Sequence, residues 1–291
     1  MTCNLCPRQC GTRPGFCGVP GGAEALVCRA APHYGEEPCI SGTRGSGAVF
    51  FAGCNLRGVF CQNHAISRGP AGVPVTAERL RDIFKALRDQ GVHNLNLVTP
   101  THYSGVIAEA LSGLDLGVPV VWNSSGYERV ETLRRREGLV QVYMPDFKYM
   151  DAALAARYSA ASDYPETALA AIREMYRQTG PFQLDGDGIL RRGVLIRHLI
   201  LPGAAGSENA LRVIDAVEDR LPAKNLLFSL MAQYTPMPGL ERFPELTRRV
   251  TPAEYGRCRS YLEFSELEHG FYQELDSATD AMIPAFDGTG I

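Results

Sequence analysis

The chain has 291 residues, 45% of them hydrophobic and 21% charged, with a formal net charge of −3. That length and balance suit a globule with one large α/β domain and a sizeable core. A charge so close to neutral gives no electrostatic case for nucleic acid or an anionic membrane as partner.

In chain order, the N-terminus Met-Thr-Cys-Asn-Leu-Cys-Pro lacks the basic start and apolar run of a signal peptide, and no stretch is apolar enough to span a bilayer. The expected location is therefore the cytoplasm. Residues 1–45 are rich in Cys, Gly, Pro and Arg without hydrophobic period, and read as a loop-rich, metal-binding extension. From residue 46 apolar runs alternate with amphipathic stretches. Ala48-Val49-Phe50-Phe51 is a buried strand. A helix over 76–90 follows, capped by Thr76, with Leu80, Ile83, Phe84 and Leu87 inward. The next expected elements are a strand at 94–98, a helix at 103–114, a strand at 118–122 and a charged helix after Tyr127. Then come a strand at 139–144, helical material over 150–180 and a strand at 194–201. Ser207 is expected to cap a helix ending before Pro222, ahead of a strand at 226–231. Thr251-Pro252-Ala253-Glu254 is a capping box that opens a last helix.

Six β-then-α units imply a parallel sheet with right-handed crossovers, too few for a full barrel. The expected fold is α/β, a partial (β/α)6 TIM-like barrel over 46–250, followed by a C-terminal helix and tail over 251–291. Sites in such folds lie beyond the carboxyl ends of the strands. Polar clusters fall there unprompted: Cys54 to Cys61, Thr99 to His102, Asn123 to Gly126, Asp146 to Lys148, Pro202-Gly203 and Gln233-Tyr234.

Eight of the nine cysteines precede residue 62. In a reducing compartment such crowding points to metal rather than disulfides. Cys3-x2-Cys6-x3-Cys10-x6-Cys17 has the spacing of a tetrahedral zinc site or an auxiliary iron–sulfur cluster, against the plainer reading of reduced thiols in a loose tail. Cys28 and Cys39 are weaker candidates, with Cys39 near the next loop in sequence. In that loop, Gly53-Cys54-Asn55-Leu56-Arg57-Gly58-Val59-Phe60-Cys61-Gln62-Asn63, Cys54 and Cys61 stand as the outer ligands of a C-x3-C-x2-C motif. Gly58 holds the middle ligand position without a thiol. Taken alone, two buried cysteines in a turn would also account for it.

With its flanks, the loop resembles the radical S-adenosylmethionine (SAM) superfamily, and in particular proteins similar to pyruvate formate-lyase activating enzyme. The N-terminal Cys-x2-Cys-Pro-Arg-x-Cys signature resembles an uncharacterised subgroup of it. The resemblance runs from Cys3 to Phe286. It implies a [4Fe-4S] cluster on Cys54 and Cys61, vacant at Gly58, with Phe60 shielding it. It also implies SAM contacted by Lys148, with Ser124, Met144 and Asp146 around a cation or the methionine moiety. The segment from Arg197 and His198 to Gly203 would pack along adenine. Asn123 and the run Thr99-Pro100-Thr101-His102 depart from the acidic and Gly-rich residues common in the family.

The implied function is reductive cleavage of SAM to a 5′-deoxyadenosyl radical, activating a glycyl radical protein with electrons from flavodoxin or ferredoxin. Impairment is expected from Gly58. The alternative is a catalytically inactive scaffold that binds SAM or a partner and keeps a structural N-terminal metal. Taken singly, Asp146 and Lys148 read equally as a strand-end ion pair, His102 and His198 as structural histidines, and Arg134-Arg135-Arg136 and Arg191-Arg192 as solvated faces.

Overall fold

The computed structural model describes residues 3–69, 71–273, 275 and 284–291. The elements in chain order are β1 (Glu24–His33), α1 (Pro38–Ser41), β2 (Ser46–Phe51), α2 (His64–Ser67), β3 (Val73–Thr76) and α3 (Ala77–Asp89). Next come β4 (Leu95–Val98), α4 (Ser104–Leu111), β5 (Val120–Ser124), α5 (Val130–Arg134), β6 (Val142–Pro145), α6 (Ala152–Ser159) and α7 (Tyr164–Thr179). The chain ends with β7 (Gln183–Leu184), β8 (Leu190–Leu199), α8 (Ala204–Arg220), β9 (Leu227–Met231), α9 (Pro252–Glu263) and β10 (Gly270–Tyr272).

The sheet runs β10-β9-β8-β6-β5-β4-β2-β1-β3, with β7 paired only to β8. From β2 to β10 every neighbouring pair is parallel. At the other end β1 is antiparallel to both β2 and β3. The six expected strands are therefore the heart of a partial TIM-like barrel that does not close. Outward-facing residues such as Trp122, Tyr143, Ile196 and Phe228 pack with helical Leu80, Ile107, Ile172 and Ile214 in one large core.

Local chemistry accounts for several helix boundaries. The Thr76 hydroxyl accepts the Arg79 N–H at 3.2 Å and starts α3, whose Leu80, Ile83, Phe84 and Leu87 are buried. Thr76→Ala should cost about 1 kcal/mol in urea unfolding, and an unchanged midpoint would show the cap to be idle. At α9 the Thr251–Glu254 capping box forms as expected.

Other expectations need correction. Helix α8 opens at Ala204 after Gly203, so Ser207 lies inside it rather than capping it. The early start is possible because Gly203 adopts φ +97° and Gly206 packs where a Cβ would sit 2.1 Å from the Leu201 carbonyl oxygen. The material over 150–180 divides into two helices, because Ala160 turns left-handed at the end of α6. Arg136 is buried, not solvated: its guanidinium lies 3.9 Å from the Trp122 ring centroid and 3.7 Å from Glu128.

The largest difference lies in residues 24–45, expected as loop. Strand β1 extends the sheet there, and α1 enters the barrel. Cys39 and Ile40 pack with Val121, Val142, Met144, Leu195 and Leu227, on the strand faces turned away from the helices. The α1 turn thus fills the lower interior. The last residues return to the same edge: Ala30 N–H donates to Thr289 O at 2.8 Å, Gly288 N–H donates to Cys28 O at 3.0 Å, and Phe286 meets Phe50 edge-on.

Candidate functional site

Above α1, at the carboxyl ends of the strands, a cavity gathers residues from most of the barrel. The loop after β2 supplies Cys54, Gly58, Phe60 and Cys61, and Thr99 follows β4. Asn123 and Ser124 end β5, Asp146 and Lys148 follow β6, Arg197 and Leu199 end β8, and Gln233 follows β9. Glu36, just before α1, completes the wall. Seven of the expected site residues therefore meet: Cys54, Gly58, Phe60, Cys61, Ser124, Asp146 and Lys148. Two others do not reach the cavity. Met144 is covered by the α1 turn. His198 is buried, with Nδ1 2.7 Å from the Phe147 carbonyl oxygen.

The 53–63 loop is fixed by its own backbone. Leu56 and Arg57 direct N–H groups at Cys54 Sγ, at 3.3 and 3.4 Å. The Asn55 amide donates to Tyr127 O at 2.7 Å, and Val59 N–H donates to Tyr158 O at 2.9 Å. Phe60 is wedged edge-on among Tyr149, Tyr158 and Tyr234. Burial raises the Cys61 thiol and Cys54 reinforces this, while Lys148 and the Asn63 amide favour the thiolate. Arg57 and Thr99 both hold left-handed backbone, φ +50° and +60°. Such conformations are costly away from glycine and gather at functional sites.

Opposite the thiols lies a charged wall in which Asp146, Lys148 and Arg197, expected at this rim, are joined by Glu36 and Glu37, which sequence reading missed. The Arg197 guanidinium reaches Glu36 at 2.8 Å, Asp146 at 3.0 Å, the Asn123 carbonyl at 2.8 Å and Glu37 at 3.9 Å. Lys148 Nζ lies 2.7 Å from Asp146. Burial pushes the Asp146 carboxyl up, but Lys148 and Arg197 outweigh it and hold the group below the usual range. Glu37 behaves oppositely. It is 2% exposed, neither carboxylate oxygen has a hydrogen-bond partner, and burial together with Glu36 outweighs Arg197 to raise it. The only sequence signal was the pair Glu36-Glu37 ahead of Pro38, inside a segment dominated by cysteine.

The residues present can be tested against a cubane with three protein thiolates. Two thiols line the cavity, and Gly58 stands between them in sequence. A Cβ at 58 would meet only Ser159 Oγ, at 3.4 Å, and Gly58 has no positive φ. The loop therefore has room for a side chain there but lacks the donor, so the set falls one ligand short and does not fit. Cys39 does not make good the deficit, because it lies among the interior apolar residues beneath the cavity. Cys3, Cys6, Cys10 and Cys17 lie in the segment packed on the outside of the loop. Among the described residues no three Cys, His, Asp or Glu side chains already converge as a metal-holding group.

No family model matches the chain. It is 29% identical over 277 residues to an uncharacterized protein of Methanocaldococcus jannaschii, MJ0674, covering 91% of this chain and 74% of that one. Its fold is similar to that of Streptococcus suis SuiB, with a TM-score of 0.51 and 14% identity over 77% of this chain. The match spans about half of SuiB, 48% of its length. Methylornithine synthase, PylB, aligns with a TM-score of 0.49 and 13% identity over 81% of this chain and 67% of its own. Among the described residues no helix is long and apolar enough to cross a membrane.

Proposed function

We propose that the cavity is a SAM site of the radical SAM type, its 53–63 loop shaped for an iron–sulfur cluster, and that Gly58 impairs SAM cleavage in this chain. One observation carries the reading. Cys54, Gly58 and Cys61 converge with Ser124, Asp146 and Lys148 on one rim, though they come from three separate strand ends. The open-barrel fold shared with SuiB supports it. In this reading Lys148, steadied by Asp146, presents its ammonium to the polar end of the ligand, Ser124 hydrogen-bonds beside it, and Phe60 excludes water from the loop side. A glycine of a partner protein as hydrogen donor, and flavodoxin or ferredoxin as electron source, follow from the sequence resemblance and are part of the same proposal.

Two thiolates are one ligand too few for a cubane with one open iron. Turnover is thus expected only after the third is restored. The test is Gly58→Cys beside the parent chain, both reconstituted anaerobically with iron and sulfide. The variant should gain about four iron and four sulfide over the parent and release 5′-deoxyadenosine from SAM under dithionite. The parent should bind SAM and release none. Failure of both chains to bind SAM would sink the reading. Turnover by the parent would remove the impairment but keep the site. Gly58 itself favours a second reading, an inactive scaffold that binds SAM or a partner. It gains ground if Gly58→Cys binds SAM but takes up no cluster.

A further inference from the structure

Strand β3 pairs with β1 over Glu24–Val27. Immediately beyond, the β1–β2 register shifts between Val27 and Arg29, a bulge that leaves Cys28 out of the pairing. The edge of β1 that β3 gives up is taken by the segment 284–291. Gly288 N–H donates to Cys28 O at 3.0 Å, and Ala30 N–H donates to Thr289 O at 2.8 Å. Gly290 follows so close to the strand that a Cβ there would sit 1.9 Å from the Ala30 carbonyl oxygen, and its φ is +79°.

The same segment forms part of the cavity, which Pro284 lines together with His33 and Phe50. Phe286 meets the Phe50 ring at 5.5 Å between centroids, and Phe50 in turn meets His33 at 6.0 Å. Phe286 also packs on the cluster of Cys28, Ala48, Phe50, Ala52, Ile66 and Val98, of which Phe50 and Val98 are cavity residues. The place of the segment and the shape of this wall are thus coupled through one aromatic contact. Among the described residues the remaining ties are few. Arg29 donates to Ala285 O at 3.1 Å and pairs with Asp287 at 3.2 Å, and that carboxylate is more than half exposed. An exposed pair adds little, and a segment held by few buried contacts opens locally while the rest stays folded. Asp287 also accepts the Thr289 N–H at 3.1 Å and its hydroxyl at 2.6 Å, so the segment carries its own turn with it.

We propose that residues 284–291 are a releasable strap: clipped to β1 they close one side of the cavity, and when they lift away the cavity opens to large solutes. The clip at 288–290 lies off the cavity wall, whereas Pro284 belongs to it. Loosening the clip therefore acts on the cavity without altering its lining. Three groups of cysteines report on the parts. The Cys28 thiol is 2% exposed and shares its cluster with Phe286, so it reports on the strap. Cys54 and Cys61 line the cavity and report on access to it. Cys258, buried between α8 and α9 with Sγ 3.8 Å from Ser207 O, reports on the fold as a whole. The strap acts in this way whichever ligand the cavity takes.

The test uses the full chain with its thiols reduced. In the unmutated protein, hydrogen exchange at the Ala30 amide should run about tenfold faster than at Val49 in the adjacent strand and should not respond to low urea, as local opening requires. Gly290→Ala, which drives a methyl into the β1 backbone, should speed labelling of Cys28, Cys54 and Cys61 by a bulky maleimide about tenfold. Cys258 should keep its parent rate, each site being read by peptide mass spectrometry. Phe286→Ala, acting at the other end of the strap, should give the same pattern. Cavity thiols labelled at the parent rate in both variants would overturn the proposal. So would an Ala30 amide that exchanges only on global unfolding, a measurement that needs no variant. Cys258 labelling that rose in step would also count against a strap, because the fold would then be loosening as a whole. SAM plays no part in these readouts, so their outcome is separate from that of the SAM reading.

Discussion

Replacing Arg197 with methionine should lower stability by about 3–5 kcal/mol at neutral pH, the cost of stranding buried charges when their partner is removed. Three carboxylates depend on this one guanidinium: Glu36, Asp146 and, more distantly, Glu37. Lys148 remains for Asp146 alone. The loss should also have a pH signature. Without Arg197 the Glu37 carboxyl, already raised by burial, loses the charge that holds it down and rises further above its unfolded value, so the fold binds more protons than the open chain as pH falls. Acidification from neutrality should therefore recover part of the deficit. Urea unfolding of both chains across that range checks it. A loss equally large at every pH would mean that lost packing, not stranded charge, is responsible.

The second large effect is acid sensitivity, and it resides in two histidines. His102 and His198 are buried, and burial lowers both to about 4, against the opposing pull of the Ala52 and Phe147 carbonyls. Each ring has one nitrogen on a carbonyl oxygen, at 2.7 Å, and its other nitrogen without a partner. A second proton would have no acceptor. Above about pH 6.5 both states are neutral and the full stability is present. As pH falls toward 4 the unfolded chain takes up protons that the fold refuses, and each ring forfeits about 3 kcal/mol. Glu37, raised by burial, works in the opposite direction, and Asp146 adds its loss at lower pH still. His102→Gln with His198→Asn preserves a donor at each bonded nitrogen and should flatten the profile. A parent curve that is flat between pH 6.5 and 4.5 would refute the account.

The central strands were legible because each is a short apolar run between turn residues, as at Val49, Leu97, Trp122 and Phe228. The rim was legible because polar clusters follow those runs. Strand β1 was not: Glu24 to His33 has a weak apolar signal, interrupted by Arg29, and it becomes a strand by pairing with β2. The α1 turn is four residues long and carries no period at all. Arg197 and Glu36 are 161 residues apart, so their pairing is a product of the fold. The two expected site residues that miss the cavity follow a simpler rule. Side chains alternate along a strand, and Arg197 and Leu199 both line the cavity, which turns His198 the other way. Met144 shares the face of Asp146 but lies deeper, beneath the α1 turn.

That turn also sets an order of events for a chain emerging from the ribosome. Ile40 is made early, but its cluster includes Leu227, so the apolar plug waits nearly two hundred residues for that neighbour. Contacts so distant in sequence form slowly and leave sticky intermediates. A nascent chain halted before β9 would display Cys39 and Ile40 to solvent, which makes incomplete translation products of this protein natural clients for chaperones.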